Sequence, residues 1–98
     1  MFISGAPPSA RLEMTLTREE FARQLQTAFG GMQRCGMDCF CGNDDGCTWR
    51  VRLLPAAPTR LGSLALERWT AEVALHAAEP ARQRWWQRFT SHLQRGGG

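Results

Sequence analysis

The sequence predicts an α+β domain with two helices on one face of a small antiparallel sheet of about four strands, in the order α-β-β-β-β-α. Three observations carry this expectation. Apolar residues recur at helical spacing near both ends of the chain. They alternate with polar residues through the middle, and turn-forming residues separate the alternating runs.

The first helix starts at Thr17. The run Leu16-Thr17-Arg18-Glu19-Glu20-Phe21 has the spacing of a capping box, Thr17 to Glu20, with Leu16 and Phe21 at the positions of a hydrophobic staple. Two acids in the first turn suit the positive end of the helix dipole. Phe21, Leu25, Ala28 and Phe29 then form one apolar stripe, and Gly30-Gly31 supplies a stop.

The middle reads as strands. Met37 to Cys41 is expected as a short one, with Asn43-Asp44-Asp45-Gly46 as a hairpin turn leading into the next. In Cys47–Leu54, Cys47, Trp49, Val51 and Leu53 alternate with Thr48, Arg50 and Arg52, a period of two with one buried face. Pro55-Ala56-Ala57-Pro58 is expected to end that strand, because proline cannot donate to a ladder. Leu61–Leu66 reads as a third strand, turning near Glu67-Arg68 into a fourth, in which Trp69, Ala71, Val73 and Leu75 share a face. The last helix opens near Pro80, carries the stripe Ala81, Trp85, Phe89 and Leu93 widened by Trp86, and stops at Gly96-Gly97-Gly98.

The expected organisation is a flexible leader over residues 1–13, one domain over 14–95 and a flexible glycine tail over 96–98. A chain of 98 residues has room for one domain, burying roughly 60–65% of the surface that its unfolded form exposes. No apolar run approaches the roughly 20 residues of a membrane span. Met1–Leu12 carries no basic segment followed by an apolar one, so the sequence points to the cytoplasm, where structural disulfides are rare. All 12 basic residues are arginine, yet the net charge is only +3, which argues for solubility rather than for a polyanion partner.

The most unusual local feature is the cysteine run Cys35, Cys39, Cys41 and Cys47, spaced C-x3-C-x-C-x5-C. Four thiolates match the ligand number of a zinc site or an iron–sulfur centre, although the spacing fits neither a zinc knuckle nor a ferredoxin. Redox or disulfide chemistry is the other chemical reading, and small buried or incidental thiols are the plain one. Hairpin register separates these readings. An even loop buries Phe40 opposite Trp49 or Val51 and turns Cys39 and Cys41 away from Cys47. An odd loop gathers Cys39, Cys41 and Cys47 on one face. The Asp-Gly pair favours the even loop, and with it no bound cofactor.

Arg84 and Arg88 on the last helix stand beside aromatics, a pattern that can serve nucleic acid, but the amphipathic packing accounts for them as a solvated face. The ending Leu93-Gln94-Arg95-Gly96-Gly97-Gly98 resembles the di-glycine ends of ubiquitin-like modifiers and sulfur carriers. It follows a helix rather than a terminal strand, so it reads as a helix stop. His76 and His92 are isolated, no nucleophile elbow occurs, and no glycine-rich loop joins a strand to a helix. The sequence therefore points away from an enzyme with a self-contained active site. It points to a small accessory domain that binds another protein through an open sheet face carrying Arg50, Arg52, Arg68, Thr70 and Glu72. A metal module on the four cysteines and a nucleic-acid binder using Arg84 and Arg88 are the alternatives.

Overall fold

The computed structural model describes residues 5–97. It contains β1 (Ser9–Thr15), α1 (Arg18–Ala28), β2 (Gln33–Gly36), β3 (Cys39–Asp44), β4 (Cys47–Leu61), β5 (Leu64–His76) and α2 (Glu79–Gly97). The class is α+β, and the sheet is antiparallel with five strands in the order β1-β5-β4-β3-β2. No helix among the described residues is long and apolar enough to cross a membrane.

Both helices form where the pattern places them. The Thr17 hydroxyl accepts from the Glu20 backbone N–H at 3.1 Å, and the staple residues Leu16 and Phe21 are both buried. Phe21, Leu25, Ala28 and Phe29 face inward, as do Ala81, Trp85, Trp86, Phe89 and Leu93 of α2. They meet the sheet through aromatic rings. Phe21 packs on Phe40 of β3, Phe29 lies 5.0 Å from Trp49 of β4, and Trp85 stacks on both Phe29 and Phe89. Cys47, Trp49, Val51 and Leu53 share one core with Ala71, Val73 and Leu75, so both helices cover the same sheet face.

Four features differ from the sequence expectation. Residues 9–13 are not a leader but most of β1, which pairs along β5 from Ser9↔Ala74 to Thr15↔Arg68. Its strict alternation, Ala10, Leu12 and Met14 toward the core with Arg11 and Glu13 outward, is a strand pattern hidden behind the Pro7-Pro8 pair. The segment before β1 is tied down as well. Arg82 donates to the Ala6 carbonyl at 2.8 Å, and the Trp86 indole donates to that of Pro7 at 2.9 Å. Residues 1–4 lie outside the described residues.

The strand expected over Met37–Cys41 starts two residues later, because Met37 and Asp38 form the turn from β2. Its hairpin to β4 turns on Asp45 and Gly46 alone, both at positive φ, which matches the twist of the flanking strands. Asn43 and Asp44 belong to the ladder.

The third difference is β4, which runs through Pro55 and Pro58 to Leu61. The Leu53 N–H points to the β3 side, where it donates to the Asp38 carbonyl at 2.8 Å. Two residues on, position 55 faces the same side beyond the end of β3, so the missing proline N–H costs the ladder nothing. Pro58 falls in the bulge between Ala56 and Thr59. The turn into β5 is accordingly not at Glu67-Arg68 but at Gly62-Ser63, with Gly62 at φ +64.

Fourth, the backbone of Gly96 and Gly97, expected in a flexible tail, belongs to α2; Gly98 lies outside the described residues.

Candidate functional site

With both helices on one side, the other sheet face is left open. Side chains alternate across a strand, so the positions between the core residues project there. Register sets them in rows. Arg11 of β1, Glu72 of β5, Arg52 of β4 and Cys39 of β3 form one row, and Ser9, Ala74, Arg50 and Cys41 form the next. Arg50, Arg52, Arg68, Thr70 and Glu72 all lie on this face.

The charges on it are not evenly matched. Arg11 bridges Glu72 at 2.7 Å, and Arg68 bridges Glu13 at 2.7 Å, so the β1–β5 half is internally neutralised. Arg50 and Arg52, neighbours on β4, are exposed and make no ion pair among the described residues. They border a shallow depression of about 320 Å³ with Arg11, Glu72 and Ser9. A second depression of about 340 Å³ adjoins it, lined by Cys35, Cys41, Thr48, Arg50 and His76. β1 supplies one partner of each of these two ion pairs.

The cysteines take the even register. Phe40 lies opposite Val51 and is fully buried, while Cys39 and Cys41 stand opposite Arg52 and Arg50. Cys47 points into the core on the other side of the sheet, and burial pushes its thiol above the ordinary value, opposed in part by Arg82 and reinforced by Asp44. The four sulfurs expected as zinc or iron–sulfur ligands therefore do not converge. Among the described residues no cluster of three or more histidine, cysteine or acidic side chains is arranged to hold an ion. Cys35 and Cys39 are instead joined in a disulfide, with Cα atoms 5.2 Å apart, and Cys41 and Cys47 are free. The chain gave no clear signal for β2, and without β2 the position of Cys35 beside Cys39 is not readable.

Arg84 and Arg88 are exposed on α2. Arg88 reaches Asp45 at 3.5 Å and lies 5.9 Å from the centre of the Phe29 ring. Their aromatic neighbours Trp85, Trp86 and Phe89 are all buried, so none of the three presents a ring face for base stacking. His92 is engaged with the Arg88 carbonyl at 3.0 Å. At the far end of the molecule, Arg18 hydrogen-bonds Asp38 at 2.9 Å, which holds its guanidinium more firmly protonated than usual and pins the β2–β3 turn to α1.

Comparison of the chain with protein families, with curated proteins and with solved structures finds no match.

Proposed function

We propose that the protein is a small accessory domain that binds an acidic segment of another protein on the open face of its sheet, with Arg50 and Arg52 as the main contacts. Arg68, Thr70 and Glu72 frame the same surface. The observation that carries this reading is the imbalance of charge: the chain pairs Arg11 and Arg68 with its own carboxylates, while the two central arginines form no ion pair among the described residues. Guanidinium groups bind carboxylates through paired, directional N–H donors, so two of them on one strand suit an extended acidic segment.

The test uses a fluorescently labelled oligoglutamate peptide and its anisotropy on titration with the full chain. Exposed ion pairs contribute up to about 1 kcal/mol each, so replacing Arg50 and Arg52 together by serine should weaken binding by about tenfold to thirtyfold. The wild-type interaction should also weaken as salt is raised. Undiminished binding by Arg50→Ser/Arg52→Ser would overturn the reading. So would binding of single-stranded DNA that is tighter than that of the peptide and is lost in Arg84→Ser/Arg88→Ser.

A further inference from the structure

The open face carries sulfur as well as charge. Cys35, Cys39 and Cys41 all lie on it, two joined and one free. Cys39 and Cys41 are two residues apart on β3 and therefore project the same way. Cys41 pairs with Gln33, which places Cys35, two residues further along β2, on the diagonal from Cys41. On their other flank stand the two unpaired arginines, Arg52 opposite Cys39 and Arg50 opposite Cys41.

The placement of the disulfide is not that of a structural staple. It spans a sequence separation of 4, so it restricts the unfolded chain far less than a bridge across a long loop. It hangs on β2, a four-residue edge strand that is exposed throughout and bulged between Arg34 and Gly36. Cys35 is the more exposed of its two residues. A buried staple is protected from incoming thiols; this one lies beside an open depression of about 340 Å³ that holds a free thiol, a guanidinium and His76. That volume is within the range of small-molecule sites.

We propose that Cys35, Cys39 and Cys41 form a thiol–disulfide exchange site for a small thiol bearing carboxylates. The incoming thiol loses its proton to solvent, and its thiolate attacks the sulfur of the more exposed residue, Cys35. A mixed disulfide forms at Cys35 as the Cys35–Cys39 bond breaks. Cys39 leaves with the electron pair as a thiolate facing Arg52 and takes up a proton. Arg50 and Arg52 bind the carboxylates of the incoming molecule. In the second step Cys41 gives its proton to solvent and its thiolate attacks the Cys35 sulfur; the small thiol leaves with the electron pair and takes up a proton, leaving a Cys35–Cys41 bridge. The sequence of steps is redox-neutral: one disulfide is present at the start, in the middle and at the end. Diagonal neighbours in a sheet are about 7–8 Å apart, slightly beyond bridging distance, so the short edge strand β2 slides during this step. The proposal does not depend on the docking of an acidic protein; it shares Arg50 and Arg52 with that reading, but its test follows sulfur.

The experiment incubates the full-length oxidised protein with reduced glutathione, quenches with acid and identifies bridges and adducts by peptide mass spectrometry. Wild-type protein is expected to convert Cys35–Cys39 into Cys35–Cys41 with little standing adduct. Cys41→Ser and Cys41→Ala should both accumulate the glutathione adduct at Cys35. Arg50→Ser/Arg52→Ser should slow the reaction of glutathione by about tenfold, the lower end of electrostatic steering, while leaving that of neutral 2-mercaptoethanol unchanged. An unchanged Cys35–Cys39 bridge in wild type would overturn the proposal. Equal adduct levels with and without Cys41 would remove Cys41 from it. Equal slowing of both thiols in the arginine variant would refute carboxylate recognition.

Discussion

The two faces of the sheet are made by the same strands and answer to different rules. On the helix-covered face, no polar or charged residue among those described is buried, and large rings fill the space between the layers. On the open face, charge does the work of keeping the surface solvated. There the β1–β5 half is neutralised by its own acids and the β4 half is not. Folding does not require this imbalance, since exposed arginines on a central strand need only water. A surplus that the fold does not need is where binding is best sought, and the two free thiols mark the contrast, Cys47 sealed within one face and Cys41 half-exposed on the other.

The covered face is the more fragile. Gly42 stands opposite Trp49, and a Cβ there would meet the Trp49 ring at 2.9 Å. That indole is held between the tilted rings of Phe29 and Trp85 and by its hydrogen bond to Asp44 at 2.8 Å, so it has little freedom to yield. Gly42→Ala should destabilise the protein by about 1–3 kcal/mol in denaturant titration, the cost of overpacking a core. A loss much below this would show that the covered face is looser than its burial implies.

A smaller effect sharpens the division within the open face. Glu72→Gln releases Arg11 from its ion pair and adds a third unmatched guanidinium beside Arg50 and Arg52. Binding of the oligoglutamate probe should tighten by about two- to fivefold, within the range of one exposed pair, with little change in stability. Weaker binding would mean that Glu72 itself contacts the probe and that the two halves of the face act together.

The smallest effect belongs to the buried thiol of Cys47. The chain has no lysine and no tyrosine, so side-chain titration between neutral and strongly alkaline pH falls mainly to cysteine. Burial raises the Cys47 thiol above its ordinary 9.0 and favours the protonated form in the folded state. Its contribution to stability is complete below that value. It is lost as pH rises above about 9 and the unfolded chain ionises first. Melting temperature should therefore decline less steeply above pH 9 in Cys47→Ala than in wild type.

Legibility of the fold followed how local each signal was. The Thr17 cap, the stripe of α2 and the Asp45-Gly46 turn are set within a few residues and could be read directly. β1 alternates just as clearly, but Pro7-Pro8 disguised it as a leader. β2 has four residues, none buried, and no alternation to betray it. The run of β4 through two prolines depends on where β3 ends, a fact of tertiary structure that no window on β4 contains. The arginine face was readable because alternation alone assigns Arg50, Arg52, Arg68, Thr70 and Glu72 to one side. The disulfide was not, because it requires β2 to be in place.

The prolines of β4 have one more consequence. Past Leu53 that strand has no neighbour on its β3 side among the described residues and offers an edge along which another chain could add a strand. At 55 such a strand would find no donor, and at 58 it would meet a bulge. The residues that look like the end of a strand instead bar one molecule from zipping onto the next, and so guard the exposed ribbon against self-association.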